Sequence, residues 1–149
     1  MALEIERKFL VNGQDYKNIA TDSVEISQYY LSLDPNRTVR VRVKGDRGFI
    51  TVKGINHGCV RKEWEYEIPV EEARQMMQIC SAGLSKRRWI VPFDGLVWEA
   101  DEFFGRLEGL VLAEVELPSA DTQISLPSFV GREVTGDPAY YNSTLTTAK

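Results

Sequence analysis

Polar and hydrophobic residues alternate along the first predicted strand of the chain, residues 3–11. Glu4, Glu6 and Lys8 share one face of this segment, and hydrophobic side chains occupy the other face, where Arg7 is the one exception. Alternation with a period of two is typical of a β-strand whose two faces meet different surroundings. Same-face residues of a strand repeat about every 7 Å, so two carboxylates at this spacing can reach toward one cation.

The same two-faced pattern returns in further segments that are separated by short turns. The predicted strands cover residues 3–11, 24–33, 37–44, 49–54, 60–70, 84–92, 96–104 and 110–117. The predicted helices are short and cover residues 15–20, 71–80, 128–130 and 139–146. Eight strands with hairpin-length connections predict an antiparallel barrel or sandwich, mainly β, with a few small helices outside it.

Length and composition are typical of one globular domain, which we expect to cover residues 1–149. Hydrophobic residues make up 43% of the chain and charged residues 27%, and the formal net charge is −4. This acidic balance excludes a nucleic-acid binder that works through a broadly basic surface, although a local basic cluster can still bind a compact polyanion. Neither a membrane-spanning run nor a signal peptide is evident, so we expect a cytoplasmic protein without membrane contact.

The residue types limit the chemistry that the chain can perform. Cys59 and Cys80 lack metal-type spacing and are expected to be reduced thiols. The single histidine, His57, lies in a turn-like stretch. Neither a zinc site of His and Cys nor a serine triad can be assembled from these residues. Any catalysis must therefore use carboxylates, lysines and arginines.

On several strands the charged face lacks the Ser, Thr, Asn and Gln of an ordinary solvated face. Its acids are Glu4, Glu6, Glu63, Glu65, Glu99, Asp101, Glu114 and Glu116. Its bases are Lys8, Arg40, Arg42, Lys44, Lys53, Arg61, Lys86 and Arg88. The opposite face carries Trp64, Trp89 and Trp98, which need a packed cover.

Two interpretations of this charged face stay open. In a closed barrel the charges line the interior, where Lys and Arg suit the oxygens of a polyphosphate. The acids would suit Mg²⁺ or Mn²⁺ in the same interior. In a sandwich the same charges face bulk water and carry no chemistry.

Seven short segments together carry a more specific signal than any one of them. They are Glu4-Ile5-Glu6-Arg7-Lys8, Arg40-Val41-Arg42, Thr51-Val52-Lys53, Glu63-Trp64-Glu65, Lys86-Arg87-Arg88, Trp98-Glu99-Ala100-Asp101 and Ala113-Glu114-Val115-Glu116. The first has the pattern E-x-E-x-K, and all seven occur in order at strand spacing. Over residues 2–117 the chain thus resembles the CYTH superfamily, the triphosphate tunnel metalloenzymes. Residues 131–135 and 140–142 are similar to the tails of its short bacterial members.

The resemblance implies a closed eight-stranded antiparallel tunnel that binds a linear triphosphate beside a divalent metal ion, Mg²⁺ or Mn²⁺. The implied metal ligands are Glu4, Glu6, Asp101, Glu114 and Glu116. The implied phosphate-binding residues are Lys8, Arg40, Arg42, Lys53, Lys86 and Arg88. The implied catalytic residues are Glu4, Glu6, Lys8, Glu63, Glu65 and Asp101, with the last three near a second ion or the attacking water.

The short chain most resembles the bacterial inorganic triphosphatases, which implies hydrolysis of tripolyphosphate to pyrophosphate and phosphate. A class IV adenylate cyclase, a thiamine triphosphatase and a non-catalytic polyphosphate-binding module stay open as alternatives. No residue set for adenine is evident, and a pure binding module would need mainly the bases. The expected partner is a small-molecule triphosphate rather than nucleic acid, and the sequence does not decide between a monomer and a homodimer.

Overall fold

The computed structural model describes residues 3–80 and 82–147, and within these ranges nine strands form one antiparallel sheet that curls into a barrel. The strands are β1 (Leu3–Val11), β2 (Asp22–Ser32), β3 (Thr38–Lys44), β4 (Arg47–His57), β5 (Val60–Ile68), β6 (Gly83–Phe93), β7 (Leu96–Phe103), β8 (Val111–Glu116) and β9 (Val130–Glu133). The α-helices are α1 (Tyr16–Ile19), α2 (Val70–Gln78) and α3 (Asn142–Leu145), and 3-10 helices cover Gly105–Leu107 and Pro138–Tyr140. The fold therefore consists mainly of β-strands, as the alternating pattern predicts.

Neighbouring strands of the barrel follow the order β5-β4-β3-β2-β6-β7-β8-β1, and β1 then pairs with β5. This last pairing joins residues 3–5 to residues 60–62 and closes the barrel. The predicted fold, a mainly β, closed eight-stranded antiparallel barrel with a few short helices, is therefore confirmed. Within the described ranges, β9 is one additional strand.

The tail contains a strand where the sequence pattern predicts a helix. The helix expected over residues 128–130 is wrong, because the chain turns there and continues as β9. β9 pairs with the second half of β1, at Phe9 and Val11, while β5 pairs with the first half. Two strands thus share one edge of β1, and β8 covers the other edge. An uncovered strand edge offers unpaired backbone groups to any extended segment nearby. The sequence pattern of the four residues of β9 does not reveal that such an edge of β1 is close to them.

Several predicted boundaries shift by a few residues. β4 extends past Gly54 to His57, because a β-bulge near its end lets the strand continue beside β5. β5 ends at Ile68, because Pro69 has no backbone N–H to continue the ladder and α2 begins directly after it. The single helix predicted over residues 139–146 is divided into a 3-10 helix and α3.

Hydrophobic side chains on the outer face of the barrel are covered by α1, α2 and the tail. The largest outer cluster consists of Phe9, Tyr16, Val91, Trp98, Ala100, Ala113, Val115, Leu117 and Phe129. On another side, α2 packs over β3 and β4, where Ala73 lies so close to Gly48 that a side chain at that glycine would overlap it. Trp89 and Trp98 are packed as expected, whereas Trp64 on β5 stays 40% exposed.

A second hydrophobic cluster closes one end of the barrel interior. Its strand members continue the charged faces of β1, β6, β7 and β8, and Val134, Tyr140 and Leu145 of the tail pack against them. These strand members are Leu10, Leu84, Phe103 and Leu112. We name this group the floor cluster, because the charged part of the interior ends there.

Two further expectations concern membrane-spanning segments and the cysteines. No helix within residues 3–80 and 82–147 is both long and hydrophobic enough to span a membrane. Cys59 and Cys80 are free thiols, as expected. His57 is the last residue of β4, beside the turn into β5.

Candidate active site

The charged faces of the strands meet inside the barrel, around a cavity of about 240 Å³. Every charged residue that the sequence predicts for the interior lines this cavity, with the exception of Asp101. The alternation of residues along each strand therefore predicted correctly which face carries the charges. The alternative of a sandwich with a fully solvated charged face does not hold for this structure.

The two signs of charge occupy opposite sides of the cavity. The acidic wall comprises residues of β1, β7 and β8, namely Glu4, Glu6, Glu99, Glu114 and Glu116. The basic wall comprises residues of β3 and β6, namely Arg40, Arg42, Lys44, Lys86 and Arg88. The separation follows from the strand order, since β3, β2 and β6 are neighbours and so are β7, β8 and β1.

Carboxylates of the acidic wall crowd one another. Glu6 is directly opposite Glu116 in the sheet, and Glu99 is opposite Glu114. Burial raises the pKa of Glu6 well above its usual value, and the neighbouring charges of Glu114 and Glu4 raise it further. Burial also raises the pKa of Glu116, and the neighbouring charges of Glu4 and Glu99 raise it further. Among the described residues neither Glu6 nor Glu116 has an ion-pair partner, so these acids suit a bound cation.

The arrangement of these acids decides whether they can hold a metal ion. No three of them, in the part of the chain that the structure describes, already stand as a group that could hold a metal ion. They meet in pairs instead, because Glu6 lies close enough to Glu114, and Glu4 to Glu63, to influence the pKa of its neighbour. Carboxylate oxygens are the ligands that Mg²⁺ and Mn²⁺ prefer, and rotation of these side chains would be needed to bring three of them onto one ion. The donor set therefore fits a divalent cation after a side-chain rotation.

Asp101 lies behind the basic wall rather than in the cavity. Arg88 donates to its two oxygens from Nε and Nη2, at 2.8 and 2.9 Å, and Lys86 Nζ lies 2.7 Å from Oδ2. Although burial raises the pKa of Asp101, Arg88 and Lys86 together hold it below its usual value. Both oxygens are occupied, which does not favour the predicted metal role. The geometry instead makes Asp101 the counterion that fixes two cations.

A single carboxylate holds the two arginines of β3. Glu65 Oε2 accepts from Arg40 Nη2 at 3.3 Å and from Arg42 Nη2 at 3.4 Å, and Thr51 Oγ1 donates to it at 2.7 Å. The Nε atoms of both arginines are buried and have no hydrogen-bond partner within the described ranges. Burial lowers the pKa of Arg42 to about 10, with the charges of Arg40 and Arg88 adding to the effect. Buried N–H donors without partners suit an anionic ligand.

Two lysines contact the acids that line the cavity. Lys53 Nζ lies 3.3 Å from Glu4 and 3.2 Å from Glu63, and Lys8 Nζ lies 3.5 Å from Glu114. Lys53 thus bridges acids of two neighbouring strands, Glu4 of β1 and Glu63 of β5, whereas Lys8 pairs with Glu114 of β8 alone. Both contacts limit the repulsion among the acids.

Two cations of the cavity have no carboxylate partner among residues 3–80 and 82–147. Arg61 donates to the backbone oxygen of Gly54 at 2.7 Å and to Thr38 Oγ1 at 3.0 Å. For Lys44, burial lowers the pKa, and the neighbouring charges of Arg42 and Arg88 lower it further. Both cations are therefore available to an anionic ligand.

The tail supplies a part of the cavity wall that sequence reasoning missed. Tyr140 accepts from Lys8 Nζ through its backbone oxygen at 3.0 Å. The Tyr141 hydroxyl accepts from Asn56, and its ring lies 5.8 Å from the Arg61 guanidinium. Asn142 also lines the cavity. Nothing in the polar pattern of the tail distinguishes it from an outer segment, because its contacts come only from tertiary structure.

The family of the chain follows from comparison of the whole sequence with known domains. A family model described as the CYTH domain matches residues 2–147. The chain belongs to the CYTH family. The segments that pointed to this family, from Glu4 to Glu116, are the strands that surround the cavity.

Two bacterial proteins named inorganic triphosphatase are similar to this CYTH chain over nearly its whole length. The protein of Acetivibrio thermocellus is 48% identical over 97% of this chain and 94% of its own length. The protein of Nitrosomonas europaea is 34% identical over 95% of both chains. CYTH triphosphatases depend on metal in general.

Solved structures share the CYTH barrel. The crystal structure of the inorganic triphosphatase NE1496 matches all of this chain and 97% of that chain, with 31% identity and a TM-score of 0.69. A putative adenylyl cyclase from Hippeastrum, described as having a dominant triphosphatase activity, matches 78% of this chain and 80% of that chain. Its TM-score is 0.63 and its identity 13%, so that likeness shows the fold alone.

Proposed function

We propose that this protein is a metal-dependent inorganic triphosphatase that hydrolyses tripolyphosphate to pyrophosphate and phosphate. The observation that carries the proposal is the pairing of an acidic wall and a basic wall across one cavity. Phosphate chains need cations, and a divalent metal ion needs carboxylates, so a metal–triphosphate complex matches both walls. The names of the two bacterial relatives agree with this substrate.

Six cations are proposed to bind the phosphate chain. Arg40 and Arg42 are the best placed of them, because buried Nε atoms without a partner can donate to phosphate oxygens. Lys86 offers an ammonium group on the same wall. The proposed set is Lys8, Arg40, Arg42, Lys53, Lys86 and Arg88. Several fixed cations along a chain of phosphates neutralise its charge and hold it extended.

The acidic wall is proposed to hold one divalent ion, Mg²⁺ or Mn²⁺, through Glu4, Glu6, Glu114 and Glu116. Although burial raises the pKa of Glu114, the charges of Lys8, Arg88 and Lys86 hold it well below its usual value, so this carboxylate stays ionised. A bound ion would neutralise phosphate charge and lower the pKa of a coordinated water.

Hydrolysis requires water to attack the terminal phosphorus while the bond to the bridging oxygen breaks and pyrophosphate leaves. Of the two acids of β5, Glu65 already accepts from Thr51, Arg40 and Arg42, so we assign it to the support of the arginines. Glu63 adjoins Glu4 at the acidic wall and is left as the group that accepts the proton of the attacking water. The arginines stabilise the charge of the transferred phosphoryl group, and no covalent enzyme intermediate is needed.

The decisive experiment measures phosphate release from tripolyphosphate, thiamine triphosphate and ATP, with Mg²⁺, Mn²⁺ or excess chelator. Cyclic AMP is measured alongside. We expect the fastest turnover with tripolyphosphate, no turnover in chelator and no cyclic AMP. Full activity in chelator contradicts the metal role, and cyclic AMP formed as fast as ATP is lost establishes the cyclase alternative instead.

A cytoplasmic location is part of the proposal. The two free thiols support it, because the cytoplasm keeps cysteines reduced. Cell fractionation followed by immunodetection tests it, and recovery of the protein outside the cytoplasmic fraction contradicts it.

A further inference from the structure

Asn142 in the tail connects two buried residues of the barrel. Its Oδ1 accepts from Lys86 Nζ at 2.9 Å and from Gln28 Nε2 at 3.1 Å. A lysine ammonium only donates hydrogen bonds, so the oxygen of the amide must be the atom that faces Lys86. Gln28 is completely buried and also donates to the Tyr30 hydroxyl at 3.1 Å. Two donors from β6 and β2 therefore fix the orientation of the Asn142 side chain.

Lys86 depends on its partners for its direction. Its side chain is 1% exposed, and its ammonium contacts Asp101 on one side and Asn142 on the other. An ammonium has three N–H donors on a flexible four-carbon stem. With two donors engaged by fixed oxygens, the direction of the third is determined, and Lys86 lines the cavity. Asp101 alone would leave the ammonium with a single oxygen to accept its hydrogen bonds.

We propose that Asn142 is a positioning residue that holds the Lys86 ammonium toward the phosphate chain, so that the tail is a working part of the catalytic chamber. The inference rests on the proposed function, since it requires Lys86 to bind a phosphate. It assigns a task to a residue whose local sequence, four residues of short helix, carries no charge.

A double-mutant cycle tests whether Asn142 acts through Lys86. The proteins are wild type, Asn142→Ala, Lys86→Ala and the double variant, assayed for kcat and KM with tripolyphosphate at saturating Mn²⁺. We expect Asn142→Ala to raise KM about ten-fold with a smaller change in kcat, because a charged hydrogen bond that directs a phosphate ligand is lost. We expect the double variant to be no worse than Lys86→Ala, since the positioned group is already absent.

Two control variants separate positioning from simple loosening of the tail. Thr144→Ala changes an exposed residue of the same helix and should leave KM within two-fold of wild type. Leu145→Ala removes a buried side chain of the floor cluster that has no polar atom to accept from Lys86, so the loss of activity in this variant should add to the loss in Lys86→Ala. If Asn142→Ala fails to fold, Asn142→Ser replaces it, since the shorter side chain does not reach the ammonium.

The outcomes distinguish the two levels of the proposal. Additive losses for Asn142→Ala and Lys86→Ala, as for Leu145→Ala, overturn the positioning role and leave the proposed function intact. Absence of turnover in the wild type overturns the proposed function. In that case the same proteins are titrated with tripolyphosphate in a calorimeter, and the Kd values replace KM in the cycle. Non-additive Kd values then support the positioning role, and additive values overturn it.

Discussion

The acidic and basic walls of the cavity contain the same kinds of charged groups in opposite balance. On the basic side, Glu65 and Asp101 are surrounded by cations that hold their pKa values below the usual range, against the effect of burial. On the acidic wall, burial and neighbouring acids raise the pKa values of Glu6 and Glu116. Glu65 and Asp101 are thus permanent counterions of the basic side. Glu6 and Glu116 have no ion-pair partner among the described residues, and a bound cation would supply one.

This difference shows how function can be inferred from buried charge. A buried charge is tolerated when it is paired, and removal of its partner is costly. The acids of the basic side satisfy that condition within the protein. Those of the acidic wall and the N–H groups of the arginines satisfy it only in part, and a metal–triphosphate complex would supply both missing partners.

The largest expected effect comes from neutralising an acid of the acidic wall. Glu6→Gln should lower kcat/KM for tripolyphosphate about 100-fold or more, because a proposed metal ligand is lost. The metal-free protein should keep its thermal midpoint, since the amide replaces a buried carboxylate whose pKa is raised. Thermal unfolding with and without Mn²⁺ checks this, and the stabilisation by Mn²⁺ should shrink in the variant. Glu71→Gln, at an exposed residue of α2, is the matched control. An unchanged response of Glu6→Gln to Mn²⁺ contradicts the place of Glu6 at the metal.

A smaller but still large effect is expected on the basic wall. Arg40→Ala should lower kcat/KM roughly 10- to 150-fold, because a charge-assisted hydrogen bond contributes about 1.5–3 kcal/mol. Folding should survive, since the variant relieves repulsion among crowded cations. Arg87→Ala is the matched control, as Arg87 lies on the outer face of β6 beside Glu25. Steady-state kinetics and thermal midpoints of both variants provide the test. Equal kcat/KM values for Arg40→Ala and Arg87→Ala would mean that Arg40 does not bind substrate.

The paired acid of the basic side should matter less than the arginines it supports. Glu65→Gln keeps an oxygen near Thr51 but removes the charge that holds Arg40 and Arg42. We expect KM to rise about five-fold with kcat little changed, because the arginines remain present but less fixed. A pure loss of kcat in this variant would instead indicate that Glu65 accepts the proton of the attacking water.

The smallest effect is expected for the unpaired cation at the end of β3. Lys44→Ala should raise KM about two- to three-fold at low salt, and the difference should fade at high ionic strength, because a half-buried lysine acts mainly through a screened field. KM values at two salt concentrations provide the test. Lys62→Ala, exposed on the outer face of β5, serves as control, and an equal rise of KM in both variants would assign the effect to overall charge.

Strand parity explains why much of the site could be predicted from the sequence. Residues two apart on a strand share a face, so Glu4, Glu6 and Lys8 had to lie together, as did Arg40 and Arg42. This alternation predicts which face of the sheet a residue occupies. It predicts neither how far along the barrel axis the residue lies nor which side chains of other strands contact it. Asp101 therefore appeared equivalent to the other acids, although its neighbours on β6 enclose it completely.

The features that the sequence did not predict depend on contacts between distant segments. On the interior face, Leu10 follows the charged positions of β1 and Leu112 precedes those of β8. Only the packing of Val134 and Leu145 against them makes that end of the barrel a floor. The resemblance of residues 140–142 to short bacterial family members did not reveal what Asn142 contacts, because its partners lie more than fifty residues away along the chain.

The shared edge of β1 has a consequence for how the chain folds during synthesis. β1 is translated before its partners, which are residues 60–62, 112–116 and 130–133. β1 therefore keeps unpaired backbone groups until the chain has been translated as far as β8 and β9. Pairing between such distant segments is slow, since the loop between them must be ordered before the contacts form. Barrel closure by β1 is thus expected as the late, rate-limiting event of folding, and a nascent chain stalled before β8 would expose this edge to aggregation.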